Sequence, residues 1–121
     1  MYSISKQFSF SAAHSLQELS PEHPCTRLHG HNYVVTVYLK SEQLNKTGFV
    51  CDYKELEIIN EYIDSHLDHK NLNDIMSPLN PSAENLAKML YDIFKPAFPQ
   101  LYAVEVSETP KTSAIYEVEG E

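Results

Sequence analysis

The sequence predicts an α+β fold, a four-stranded antiparallel sheet with two helices packed on one face, in the order strand, strand, helix, helix, strand, strand. Three observations carry this reading. Apolar and polar residues alternate with period two through residues 2–14 and again through 31–40. Two later stretches space their apolar residues three or four apart. Two further β-rich runs, 101–108 and 113–118, close the chain around the turn Thr109-Pro110-Lys111-Thr112.

Taken in order, Tyr2, Ile4, Phe8, Phe10, Ala12 and His14 share one parity, which makes the first strand. Residues 15–28 carry Pro21 and Pro24 and no steady period, so they form a loop, and a loop this long in a small domain is often functional. In the second strand Tyr33, Val35, Val37 and Leu39 share a face opposite Val34, Thr36 and Tyr38. Asn45-Lys46-Thr47-Gly48 is a turn, and Asp52 with Glu55 approximates a capping box for a helix whose stripe is Leu56, Ile59, Ile63 and Leu67. Pro78 and Pro81 forbid its continuation. Ser82 caps a second helix with Leu86, Met89, Leu90, Ile93 and Phe94 on its apolar side. Two helices cover one sheet face only. The other still carries aromatic and β-branched residues, so an oligomer that buries it is expected.

The chain has 121 residues and is read as one domain, 1–121. A net charge of −8 argues against binding to nucleic acid or anionic membranes. No apolar run reaches the length that spans a bilayer, and the N-terminus lacks the apolar core of a signal peptide. A cytoplasmic location is expected, where Cys25 and Cys51 are free thiols.

The stretch Cys25-Thr26-Arg27-Leu28-His29-Gly30-His31 concentrates unusual chemistry, including the chain's only arginine. On a strand, His29 and His31 point the same way, and pairing with the end of the first strand brings His14 beside them. Each histidine alone reads as a partly buried polar residue at a strand end. Together the three supply the ligand set of a zinc site with one open position, the catalytic arrangement. Cys25 is then a nearby thiolate base, its pKa lowered by Arg27 and a cation, rather than a fourth ligand. Cys51 lies in an apolar run and is structural. Asp68-His69 reads either as a helix-end cap or as a carboxylate that orients an imidazole for proton transfer. Glu108 reads either as a solvated edge charge or as a carboxylate that accepts two N–H donors from a ligand.

The motifs Phe10-Ser11-Ala12-Ala13-His14, Cys25-x-x-x-His29-Gly30-His31, Leu67-Asp68-His69-Lys70-Asn71-Leu72-Asn73, Asn80-Pro81-Ser82-Ala83-Glu84-Asn85 and Glu108-Thr109 together resemble the 6-pyruvoyl-tetrahydropterin synthase family. The three-residue gap between Cys25 and His29 is similar to the 6-carboxy-tetrahydropterin synthase branch. The resemblance implies a tunnelling fold whose sheets close into an oligomeric barrel, commonly a hexamer of two trimers, with sites between subunits. It implies Zn²⁺ on His14, His29 and His31, Cys25 as base, Asp68 and His69 as a second proton-transfer pair, and Glu108 as pterin anchor. Ser82, Ala83 and Thr109 would line the pterin pocket, although Ala83 stands where a hydroxyl residue is frequent. The implied substrate is dihydroneopterin triphosphate. The implied reaction is zinc-dependent carbon–carbon lysis to 6-carboxytetrahydropterin, acetaldehyde and triphosphate on the route to queuosine. Alternatives are triphosphate elimination alone, as in the pyruvoyl branch, or a non-catalytic zinc-binding domain. Arg27, His23, Lys6, Lys54 and Lys111 are the cations available for a triphosphate.

Overall fold

The computed structural model describes residues 1–119. Strands β1 (Tyr2–His14), β2 (His29–Ser41), β3 (Leu101–Thr109) and β4 (Thr112–Glu117) form one sheet in sequence order, with every pair antiparallel. Helices α1 (Glu57–His66), α2 (Leu72–Met76) and α3 (Ala83–Phe94) fill the connection between β2 and β3 and pack on a single face. The expected α+β architecture is present.

Strand parity decides the core. Phe8, Phe10 and Ala12 of β1 and Tyr33, Val35, Val37 and Leu39 of β2 are buried beneath the helices. Leu56, Ile59, Ile63 and Leu67 are fully buried, each contributing about 1.5–3 kcal/mol by leaving water. The Asp52 cap is real, but its carboxylate accepts from the Lys54 amide and opens a 3-10 turn over Tyr53–Leu56 before α1 begins. Ser82 caps α3 by accepting from the Asn85 amide. The buried side of α3 is Leu86, Ala87, Leu90, Tyr91 and Phe94, while Ile93 is largely exposed, so the stripe is rotated from the expected one. Between the two expected helices the structure adds a third, the short α2. Asn71 caps the short α2 there, its side chain accepting from the Asn73 amide.

The open sheet face carries the expected aromatic and β-branched residues of β2 together with polar ones. β1 turns Ser3, Ser5, Gln7 and Ser9 outward, all exposed. Thr36 of β2 pairs with Glu105 of β3 on this face, and Tyr38 donates to the Glu105 carboxylate beside them. Ser3 and Tyr102 are joined by a hydroxyl–hydroxyl bond of 2.9 Å. Val34, Thr36 and Tyr38 of β2, with Ala103 of β3 and Ile115 of β4, supply the aromatic, aliphatic and β-branched residues of this face beside the polar side of β1. Among the described residues, no helix is long and apolar enough to cross a membrane.

Candidate active site

Register alone brings the three histidines together. His14 ends β1 directly opposite His29, which opens β2, and Ala12 lies opposite His31. Cross-strand partners share a face, as do residues two apart, so all three imidazoles stand at one end of the helix-covered face. Their ring centroids are 4.6, 5.0 and 4.9 Å apart. One nitrogen from each lies within 4.8 Å of the others. His14 is buried, 1 % exposed, and the other two are half-buried.

The outer partners of the rings fix which nitrogens face inward. His14 Nδ1–H donates to the Pro81 carbonyl at 2.7 Å, and His29 Nδ1–H donates to the Arg27 carbonyl at 2.7 Å. A carbonyl only accepts, so each Nδ1 carries the hydrogen and each Nε2 keeps its lone pair. Those two Nε2 atoms face one another at 3.0 Å. Two lone pairs at that distance repel unless a cation lies between them. Their mutual orientation is that of two neighbouring ligands on one ion, and the donor set suits zinc. Burial pushes His31 below the ordinary histidine value, against the pull of the Glu108 carboxylate, with the other two imidazoles adding to the depression. The three histidines can hold a metal ion, and their outer partners are of the kind that orients metal-bound imidazoles.

Tyr33, which sequence reasoning placed only in the core, lies against this cluster. It is fully buried and stacked on Phe10 at 4.9 Å, and its Oη is 3.1 Å from His14 Nδ1. Burial and the charge of Glu108 push its phenol well above the ordinary tyrosine value, so it stays neutral. The signal was available in the spacing, since Tyr33 continues the parity of His29 and His31.

Asp68 and His69 reach the site because the segment after α1 lies along the free edge of β1. Ser11 N–H donates to Asp68 Oδ1 at 3.0 Å, His69 N–H to the Ser11 carbonyl at 2.6 Å, and Ala13 N–H to the Lys70 carbonyl at 3.0 Å. His69 takes up a left-handed φ of 59° to make this turn, a conformation that costs energy in a non-glycine residue. Its Nδ1 is 2.9 Å from Asp68 Oδ2, and the ring is otherwise exposed. The Ser11 amide, together with His69, holds the Asp68 carboxyl below its ordinary value despite partial burial. His69 and His31 line one open cleft of about 510 Å³, together with Lys70, a cation not singled out from sequence.

Glu108 stands between His31 and a second cavity. Its Oε2 is 3.7 Å from His31 Nε2, and it lines a space of about 330 Å³ with Ser82, Ala83 and Leu16. Thr109 is not among the residues lining either space. Its hydroxyl is used within the β3–β4 turn, on Thr112 Oγ1 at 3.0 Å and the Lys111 amide at 3.2 Å.

Cys25 sits on a 3-10 turn, Pro24–Thr26, half-buried and outside the three-histidine cluster. The turn is capped by His23, whose Nδ1 accepts from the Cys25 amide at 3.0 Å. Arg27 supplies its carbonyl to His29 and exposes its side chain. Lys6 is eight residues from His14 along β1, about 26 Å away, and faces Glu57 and the Tyr53 carbonyl. Lys54, next to Tyr53, shares that far end, so neither cation serves the histidine cluster of its own chain. Lys111 lies at the β3–β4 turn and lines a cavity with Thr36 and Glu105. Cys51 is buried, its thiol donating to the Asp52 carbonyl at 3.4 Å, and burial pushes that thiol up.

Fold and site define a helix-backed sheet that presents a histidine triad able to hold a metal ion and, on the edge of the same sheet, an acid–imidazole pair. Residues 3–119 match the 6-pyruvoyl tetrahydropterin synthase family, and the chain belongs to it. A 6-carboxy-5,6,7,8-tetrahydropterin synthase of Synechocystis sp. is 38 % identical over 96 % of this chain and 93 % of its own length. A 6-pyruvoyl tetrahydrobiopterin synthase of Dictyostelium discoideum is 33 % identical over 93 % of each. The solved 6-pyruvoyl tetrahydropterin synthase of Caenorhabditis elegans superposes with a TM-score of 0.85 at 29 % identity, covering 98 % of this chain and 96 % of that one. The tunnelling fold of these relatives is the fold of this chain.

Proposed function

We propose that this chain is a zinc-dependent 6-carboxy-5,6,7,8-tetrahydropterin synthase. It would convert 7,8-dihydroneopterin triphosphate to 6-carboxytetrahydropterin, acetaldehyde and triphosphate in the synthesis of 7-deazaguanines such as queuosine. The observation that carries the proposal is the pair of inward-facing Nε2 lone pairs at 3.0 Å, in a triad whose third member, His31, lines a cleft with His69. The Cys25-to-His29 gap and the 38 % identical relative favour the carboxy branch.

His14, His29 and His31 would hold the zinc, which when bound acts as a Lewis acid toward the hydroxyls of the substrate side chain. Glu108 accepts the amino and ring N–H groups of the pterin, a charge-assisted pairing that fixes ring orientation. Ser82 and Ala83 line the same cavity, and Ala83 leaves its side of the pocket without a hydroxyl. Cys25 as thiolate removes a proton from the substrate side chain. Asp68 keeps a hydrogen on His69 Nδ1, which leaves Nε2 of that exposed ring to take or return a second proton. Lys70 and Arg27 supply positive charge for the departing triphosphate. The domain is a single unit, 1–121, and a homo-oligomer, a hexamer of two trimers, is proposed from the family resemblance. A cytoplasmic location is proposed with it.

The second reading is triphosphate elimination alone, favoured by the 33 % identical relative that carries the pyruvoyl name. Product analysis separates them. Zinc-loaded protein is incubated anaerobically with 7,8-dihydroneopterin triphosphate and the products are identified by mass spectrometry. Acetaldehyde with 6-carboxytetrahydropterin is expected. A 6-pyruvoyl product without acetaldehyde would move the chain to the second reading, and no turnover would leave a non-catalytic metal-binding domain.

A further inference from the structure

The loop that carries Cys25 is held almost without apolar packing. Residues 17–24 are exposed, and the Pro24–Thr26 turn buries none of its residues. Its position therefore rests on hydrogen bonds, and these follow a pattern. Along a strand, alternate residues turn both N–H and C=O to the same edge. On the outer edge of β1, Ser11 and Ala13 bond to the 68–70 segment. The alternation continues past the strand end. Ser15 N–H donates to Asn73 Oδ1 at 2.8 Å while Asn73 Nδ2–H donates to the Ser15 carbonyl at 2.9 Å. Two residues on, Gln17 makes the same pair with Asn80, at 2.7 and 2.8 Å. Each carboxamide stands in for a strand partner, meeting donor and acceptor together. Leu16, between them, is thereby turned to the opposite edge, where its N–H donates to the Cys25 carbonyl at 2.7 Å.

The clasp and the histidine triad share one anchor. Asn85 Nδ2–H, in the first turn of α3, donates to the Asn80 carbonyl at 2.9 Å, and the next residue, Pro81, accepts from His14 Nδ1. A displacement of this segment would move the Cys25 loop and a triad ring together.

We propose that Asn73 and Asn80 are positioning residues that set where Cys25 stands beside the histidine triad, acting through Ser15, Leu16 and Gln17. This rests on the reading of Cys25 as the proton-abstracting thiolate. The test uses the full-length, zinc-loaded protein and its Asn73→Asp and Asn80→Asp variants. Each aspartate keeps the acceptor for the strand N–H but sets a carboxylate oxygen against the strand carbonyl, replacing one bond of the pair with repulsion. Amide exchange at Ser15, Leu16 and Gln17 is expected to accelerate by about tenfold or more while Val35 and Val37 keep their protection. Iodoacetamide labelling of Cys25, followed by peptide mass, is expected to change rate by about fivefold or more. The kcat for 7,8-dihydroneopterin triphosphate, counted per folded zinc-loaded site so that an unfolded fraction does not enter, is expected to fall about 10- to 100-fold with KM nearly constant. Variants whose Leu16 amide is released but whose labelling and kcat are unchanged overturn the proposal. The unaltered chain is decisive even where a variant fails to fold. Slow exchange at Leu16 against fast exchange at Leu19 and Ser20 is expected, and equally fast exchange at all three overturns the clasp. Cys25→Ala, run alongside, tests the thiol's part in turnover by itself, so failure of that reading leaves exchange and labelling to decide the clasp.

Discussion

The two ends of the loop 15–28 and its middle are built by different physics. The ends are histidines that could hold a metal ion, placed by strand register and core packing. His14 is buried on Tyr33 and the Pro81 carbonyl, and His29 lies directly opposite it. The middle carries Cys25 on an exposed turn placed by a few polar bonds. Rigid elements hold ligands within narrow limits, whereas a polar-pinned loop can shift without unfolding the sheet. The lesson is that turnover can fail in this protein while the histidine triad keeps its metal, but not the reverse.

Four substitutions press on that difference, in falling order of effect. His29→Ala removes a ligand from the rigid end. Zinc content measured by mass spectrometry should drop to background and turnover with it, while the circular dichroism of the sheet remains, because the burial of Tyr33, Val35 and Val37 does not depend on that ring. Cys25→Ala strikes the loop alone. Zinc content should be unchanged and turnover should fall by about 10²–10⁴-fold, the usual weight of a positioned proton acceptor. Wild-type turnover would dismiss the thiolate. Tyr33→Phe leaves the core filled but takes away the Oη beside His14 Nδ1. Competition with a chromophoric chelator should show zinc affinity reduced by about 10-fold, at the low end for second-layer partners of a metal-bound imidazole.

On stability, as distinct from turnover, Asp68→Asn gives a small effect and a specific one. The folded carboxyl titrates below its unfolded value, chiefly because the Ser11 amide donates to it. Its contribution to stability is therefore complete above the unfolded carboxylate range and disappears as pH falls through the folded value. Urea unfolding of wild type and variant should differ at pH 7 and converge at the acid end. Parallel curves at all pH values would show that the carboxylate is not held in this way.

Much of this was legible before any coordinates. Parity over Phe8 to His14 and Tyr33 to Leu39 places the core face, and the His-x-His spacing puts two imidazoles on that face, because both follow from the two-residue repeat of a strand. The aromatic and β-branched residues expected on the open face are there on β2, as Val34, Thr36 and Tyr38, but β1 adds polar ones. Ser3, Ser5, Ser9 and Ser11 stand in the opposite register of β1 and already mark its outer side as polar. What sequence did not reveal is long-range and aperiodic. The α2 helix has five residues, too few to show a period. Asn73 and Asn80 act on residues 58 and 63 positions away, and nothing in their local sequence announces a partner. Lys70 reaches the cleft only because residues 68–70 lie along the edge of β1.

The facing Nε2 atoms of His14 and His29 carry a last consequence. They belong to residues that are neighbours in space but lie on either side of the 15–28 loop, so an ion held between them closes that loop as a removable cross-link. The melting temperature of such a protein becomes a reading of metal activity in its surroundings. Free zinc at a thousandfold above its dissociation constant would add about 4 kcal/mol to the folded state, and a chelator would take it away.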